Sequence, residues 1–300
     1  MLSGVFVPLV TPFLATAVDE DSFAHHVETL LAAGVSGLIA GGVAGEGPTL
    51  TPREKERLVR IAVEAAGRRV PVVAATGTNS TAATIEATRV ARQAGASAAL
   101  VVTPYYNKPG QEGMYRHFEA VARAVDLPLV LHNVPQRTNV TLAPETIDRL
   151  GQLPSIFALL DESEDFARQR AVAEACTDRL WRIAPSSLSA FLPELRPPRA
   201  CVEPAANIAP RLSGRLWELR LAGKGKEAAE LVAALTTLKY ALDLEPEPVG
   251  VKYAVSLMTP TFGPELRLPL TPPSASSASA IRVAIAALAG VHDRALHHLV

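Results

Sequence analysis

Four side chains able to handle protons or metals, Glu46, His132, Asp161 and Glu203, each lie at or just beyond the end of a short apolar run. A histidine with carboxylates is a donor set that can hold a divalent cation and stabilise an enolate, and an imidazole alone can move protons near neutral pH. The competing reading is scattered hydrogen-bonding and helix-capping side chains, and both stay open at this point. Arg137 adds a planar cation suited to a bidentate contact with a carboxylate. The loop Gly42-Val43-Ala44-Gly45-Glu46 offers backbone N–H groups to the same kind of anion. Covalent imine chemistry needs a lysine amine. The lysines are Lys55, Lys108, Lys224, Lys226, Lys239 and Lys252, with none between Gly110 and Gly223.

These residues must be positioned by regular elements, and the apolar runs identify them. Eight runs recur about every 25 to 35 residues, the size of one βα unit: Val5–Val10, Gly37–Gly41, Val70–Ala75, Ala98–Thr103, Pro128–His132, Ile156–Leu160, Leu180–Ala184 and Ala200–Glu203. Their continuous apolarity fits parallel strands buried on both faces. Helical stretches such as Pro52–Ala66 and Thr81–Ala94 lie between them, and glycines at Gly34 and Gly95 mark helix ends. The pattern predicts a (β/α)₈ TIM barrel, and a chain of 300 residues has room for it. A doubly wound open sheet is the alternative, weakened because no phosphate-binding glycine fingerprint follows the first strand.

After the eighth run the alternation stops. Helices are expected near Ala206–Ala222, Gly225–Leu242, Val249–Met258 and Ser276–Ala289, the first completing the barrel and the others forming a C-terminal three-helix extension, with a Pro/Ser-rich loop over Pro269–Ser279. The expected division is a barrel over residues 1–223 and an extension over 224–300 packed on it as a single structural unit. A net charge of −1 without a basic run excludes nucleic acid and anionic membrane surfaces as electrostatic partners. Cys176 and Cys201 have no metal-ligand spacing and read as buried thiols. No basic leader precedes Pro8 and Pro12, and a cytoplasmic protein is expected.

The segment Val102-Thr103-Pro104-Tyr105-Tyr106-Asn107-Lys108-Pro109, followed by Gln111-Glu112-Gly113 and His117-Phe118, resembles the fourth-strand signature of the dihydrodipicolinate synthase and N-acetylneuraminate lyase family. Gly45-Glu46 with Thr49-Leu50, Asn133-Val134-Pro135 with Arg137-Thr138, Glu245-Pro246 with Pro248 and Val251-Lys252, and the closing Leu266-Arg267-Leu268-Pro269-Leu270 extend the likeness over nearly the whole chain. The resemblance implies a barrel enzyme that condenses or cleaves 2-oxo acids through an imine between pyruvate and a strand-six lysine. It also implies a strand-five tyrosine relayed by a hydroxyl after strand two and by a tyrosine from a neighbouring subunit, and an arginine that meets a carboxylate.

Several of those positions depart from the pattern. Leu160 stands where the lysine is implied, His132 replaces the tyrosine, and Val43 and Ala44 replace hydroxyl residues. Ala184-Pro185-Ser186-Ser187 and Glu203-Pro204 differ from the usual ends of strands seven and eight. What persists binds rather than reacts: Val43, Ala44, Gly45 and Arg137 for a carboxylate, and Tyr105, Tyr106 and Lys108 for a subunit interface. Lys108 and Lys252 read as solvated or interface amines.

The favoured expectation is a non-catalytic or regulatory paralogue, needing no cofactor, that binds a small 2-oxo acid or other carboxylate weakly. It would form a homodimer or homotetramer, or assemble with an active paralogue. The alternative is a repurposed carbon–carbon lyase acting on a 2-oxo acid without a Schiff base, assisted by a metal at Glu46, His132, Asp161 and Glu203.

Overall fold

Eight short strands run parallel and close on themselves in chain order: β1 (Gly4–Pro8), β2 (Gly37–Ala40), β3 (Val72–Ala75), β4 (Ala98–Val102), β5 (Leu129–Asn133), β6 (Ile156–Asp161), β7 (Trp181–Ala184) and β8 (Ala200–Val202), with β1 paired to both β2 and β8. The protein is a TIM barrel, seen here in a computed structural model that describes residues 2–163, 165–176, 179–188 and 197–297. The strands end within a few residues of the apolar runs that predict them.

Alternation along each strand sorts side chains between two cores. Val130, Ala158, Leu160 and Ile183 meet Phe6, Ile39, Val73 and Leu100 on the barrel axis. Leu129, Leu131 and Leu159 point the other way, into the layer shared with the helices. The axis is a packed core, not a pore, with an apolar void of ≈ 10 Å³ that is no larger than about one water.

The outer helices are α1 (Glu20–Ala32), α2 (Pro52–Ala66), α3 (Thr81–Gln93), α4 (Gln111–Ala124), α5 (Pro144–Gly151), α6 (Phe166–Ala175) and α7 (Pro210–Leu221). Local chemistry sets their starts. In α2, the Thr51 hydroxyl accepts from the Glu54 N–H while the Glu54 carboxylate accepts from the Thr51 N–H, and Pro52 occupies the first turn, where its missing N–H costs nothing. Helix α7 begins later than the sequence pattern suggests. Glu203 caps a 3₁₀ turn over Pro204–Asn207, and Pro210 then opens the helix proper.

Helices α8 (Gly225–Leu242), α9 (Val249–Met258) and α10 (Ala275–His297) follow the barrel. The predicted Pro/Ser-rich loop is shorter than expected. Ser274 accepts from the Ser277 N–H at 3.2 Å and caps a helix that begins at Ala275, so Ser276–Ser279 are helical, because a serine cluster can supply a cap as readily as a turn. Leu235, Leu238, Ala254, Val255 and Ile281 of these helices bury against Val10 and Ala44 of the barrel rim and Leu216 of α7. None of the described helices is long and apolar enough to cross a membrane.

A fully buried ion pair is the innermost of the polar contacts that fasten this extension to the barrel. Lys252 of α9 donates to Glu46 at 2.6 Å with both side chains fully buried, a correction to its reading as a solvated or interface amine. Burial pulls the Lys252 ammonium down to about 8 against the opposing hold of Glu46. The second Glu46 oxygen accepts from the Arg267 N–H at 3.0 Å, and the Lys252 ammonium lies 4.0 Å from the centre of the Phe13 ring. Arg267 also pairs with Glu54 through two bonds of 2.6 and 2.9 Å. Breaking one partner of a buried pair strands a charge and costs about 3–5 kcal/mol, whereas replacing both with neutral groups is often close to neutral. Lys252→Ala is therefore expected to lower urea-denaturation stability by about that amount, and Glu46→Gln/Lys252→Met to recover most of it. A Lys252→Ala loss below about 1 kcal/mol would contradict the buried lock.

Candidate functional site

The candidate site forms where β5 and β6 end on the C-terminal face of the barrel, the face on which this fold places its chemistry. His132 and Leu160 are direct register partners, flanked by Val102 of β4 and Ile183 of β7. Leu160 is fully buried on the axis and offers that floor no polar atom. His132 is also buried, and its Nε2 lies 2.7 Å from the Glu162 carboxylate.

Glu162 enters the site by alternation, two residues past Leu160. Burial works against its charge, but the hydrogen bond to His132 and the nearby charges of His132, Arg137 and Lys239 together hold its carboxyl below the usual range. Gln136 Nε2 donates to the Glu162 carbonyl at 2.9 Å and fixes the backbone there. An imidazole held by an ionised carboxylate has its tautomer and orientation set, an arrangement suited to proton transfer.

Arg137 lies in a single helical turn, Pro135–Thr138, opened by its proline and closed by Asn139 in the left-handed region. Its guanidinium is partly exposed and reaches the Glu247 carboxylate at 3.5 Å. Burial, then the charge of Glu162, pushes the Glu247 carboxyl up to about 7, with Asp243 adding to the rise while Arg137 and His132 oppose it.

The rim loop after β2 is a tight turn. Glu46 and Gly47 donate their N–H groups to Val43 and Gly42 at 3.0 and 2.9 Å, and the Thr11 hydroxyl donates to the Gly45 carbonyl at 2.8 Å. None of these bonds uses the N–H of Val43, Ala44 or Gly45. Gly47 cannot carry a side chain, because a Cβ there would collide with the Gly41 carbonyl. The Ala44 methyl is buried against the helical extension and Val43 is half-buried.

The four residues grouped as a possible metal cluster do not converge. Asp161 follows Leu160 directly, so it faces the helix layer, where it accepts from Asn133 at 3.0 Å, from Arg168 of α6 at 2.8 Å and from the Ser163 N–H at 2.9 Å. Glu46 is taken by Lys252. Glu203 is buried, accepts from the Ser187 N–H and hydroxyl at 2.8 and 2.6 Å, and has its carboxyl pushed up by burial. Only His132 faces the site. Among the described residues no group of three or more His, Cys, Asp or Glu side chains could hold a metal ion.

Tyr105, Tyr106 and Lys108 lie together on the loop after β4, all exposed, with Tyr106 and Lys108 at positive φ of 69° and 45°. Such backbone is costly for residues with a side chain and persists only where surroundings impose it. Here Asn107 bridges to the Asn79 carbonyl at 2.9 Å. Glu162 and Glu247 are absent from the residues chosen from the sequence. The period of two along β6 signals Glu162 once Leu160 is placed on the axis. Glu247 has no local signal, since only the folding of the extension brings it to Arg137.

Residues 1–288 match the dihydrodipicolinate synthetase family. The chain is 42% identical over 95% of its length to the 4-hydroxy-tetrahydrodipicolinate synthase of Thermomicrobium roseum, covering 94% of that protein. It is 39% identical to that of Syntrophobacter fumaroxidans over 94% of this chain and 97% of the relative. Among solved structures, the 4-hydroxy-tetrahydrodipicolinate synthase of Methylacidiphilum fumariolicum superposes with a TM-score of 0.94 at 30% identity, covering 99% of both chains. The dihydrodipicolinate synthase of Aquifex aeolicus gives 0.91 at 32% identity, over 96% of this chain and 98% of that one. With its barrel, its helical extension and this continuous likeness, the chain belongs to the dihydrodipicolinate synthetase family.

Proposed function

We propose that this family member does no imine chemistry and instead binds a small 2-oxo acid or other carboxylate weakly, as a non-catalytic or regulatory paralogue of the synthases. The observation that carries the reading is Leu160, buried on the barrel axis beside His132 at the position where the resemblance implies the lysine. No other lysine lies between Gly110 and Gly223 to take its place. The groups left for a ligand are the Arg137 guanidinium and the N–H groups of Val43, Ala44 and Gly45. Charge-assisted hydrogen bonds of this kind contribute roughly 1.5–3 kcal/mol, little once the entropy of association is subtracted, which implies dissociation constants in the high micromolar to millimolar range.

A second reading, a carbon–carbon lyase acting without a Schiff base, is favoured by the His132–Glu162 hydrogen bond alone. It would require His132 to take a proton from the carbon beside the ketone, with no clustered metal ligands among the described residues to stabilise the enolate. Tyr105, Tyr106 and Lys108 are proposed to lie at or near a tight interface in a homodimer or homotetramer, or in an assembly with an active paralogue, and the chain is proposed to be cytoplasmic. The strained, exposed backbone of Tyr106 supports the interface. The barrel over residues 1–223 and the extension over 224–300 are proposed to fold as one unit, fastened by Lys252 and Glu46.

Three results are expected. Pyruvate with borohydride leaves the intact mass unchanged, and a pyruvate-sized increase on a barrel peptide would overturn the reading. Calorimetry detects weak pyruvate binding that Arg137→Ala abolishes, and an affinity indifferent to Arg137→Ala would refute the placement of the anion. Light scattering at micromolar concentration gives a dimer or tetramer that Tyr106→Ala weakens; a strict monomer would count against the interface.

A further inference from the structure

Arg137 already holds a carboxylate. Glu247 comes from the turn between α8 and α9, far along the chain from Arg137, and sits where an incoming acid would have to bind. Its placement is fixed from both sides. Lys252, in the next helix, is locked to Glu46, and Gly250 packs so closely on Leu242 that a Cβ there would collide with its carbonyl. The Val249 N–H donates to the Pro246 carbonyl at 2.9 Å and closes the turn that presents Glu247.

The contact is poorly made by this protein's own standard. Arg267 and Glu54 meet through two parallel bonds of 2.6 and 2.9 Å, and that carboxyl is held down to about 2, first by its bond to Arg267. Arg137 and Glu247 share one contact of 3.5 Å, at the outer limit of a hydrogen bond. A single long contact leaves most of the guanidinium donors available, and Arg137 is partly exposed to a ligand.

Resting on the reading that Arg137 takes the ligand's carboxylate, we propose that Glu247 is an internal competitor for that arginine: ionised, it occupies and screens the guanidinium, and protonated, it yields the place to a small carboxylate. The charged groups facing Glu247 are Glu162 beyond β6, Asp243 at the end of α8, Arg137, and His132 of β5. Two are acidic and disfavour its charge, and burial does so most. With the carboxyl titrating near 7, it is mostly ionised at pH 8 and mostly neutral at pH 6. Ligand affinity therefore rises as pH falls, and the fraction of molecules with a released arginine sets its size, roughly tenfold over that interval.

The test is calorimetry with pyruvate at pH 6 and pH 8 on the wild type, Glu247→Gln, His132→Gln and Arg137→Ala, with a ligand-free carboxyl NMR titration alongside. The expected result is wild-type binding roughly tenfold tighter at the lower pH. Glu247→Gln should bind at both pH values with the tight affinity, His132→Gln should retain the pH dependence, and the Glu247 carboxyl should titrate near 7. A Glu247→Gln protein with wild-type affinity and slope, while Arg137→Ala loses binding, overturns the competitor and leaves the Arg137 reading standing. A pH dependence that disappears in His132→Gln but survives in Glu247→Gln likewise overturns it. A Glu247 carboxyl titrating at an ordinary 4.5 does so without any ligand. Absence of binding in the wild type and in Glu247→Gln alike overturns the Arg137 reading and the competitor with it.

Discussion

The buried pair of Glu46 and Lys252 sets the geometry on which the rest of the site depends. Glu46 directly follows the Val43–Gly45 turn and has left-handed backbone, so its position fixes the direction of the N–H groups before it. Lys252 lies on the helix that follows Glu247, so the same pair fixes the carboxylate facing Arg137. A barrel rim and a helical extension are thereby joined through a contact with no solvent on either side. An ion pair taken out of water gains little net stability over an apolar pair, but it tolerates few alternative arrangements, because any shift leaves a charge unsatisfied.

The fold was legible because its physics is periodic. Parallel strands covered by helices must be apolar on both faces, which marked all eight strands, and glycine or proline punctuated the helices between them. Where the reading slipped, a cap had competed with a loop. Ser274 starts α10 within a stretch expected to be a loop, and Glu203 with Pro210 divides a run of helical pattern into a 3₁₀ turn and a helix.

The site was legible in part, for reasons particular to each residue. Leu160 and His132 stand out because a strand position carries its orientation with it. Asp161 follows Leu160 by one position, and in a strand one position reverses the face, sending its carboxylate to Arg168 rather than to the axis. Of the two readings open for Glu203, the structure takes the capping one: its carboxylate accepts from the Ala205 N–H of the following turn and also from Ser187. Lys252 read as a surface amine because lysine is seldom fully buried, and its partner lies 206 residues away in sequence. Glu247 reaches Arg137 through the same long-range folding, which no local pattern encodes.

The central claim is that the barrel axis presents leucine where an amine would be needed, so a bound 2-oxo acid keeps its ketone. Carbon-13 NMR of pyruvate labelled at the carbonyl carbon, mixed with excess protein, observes that carbon directly. The account predicts ketone and hydrate resonances alone, broadened by exchange with the Arg137 site and sharpened again in Arg137→Ala. An imine resonance in the wild-type protein would contradict it.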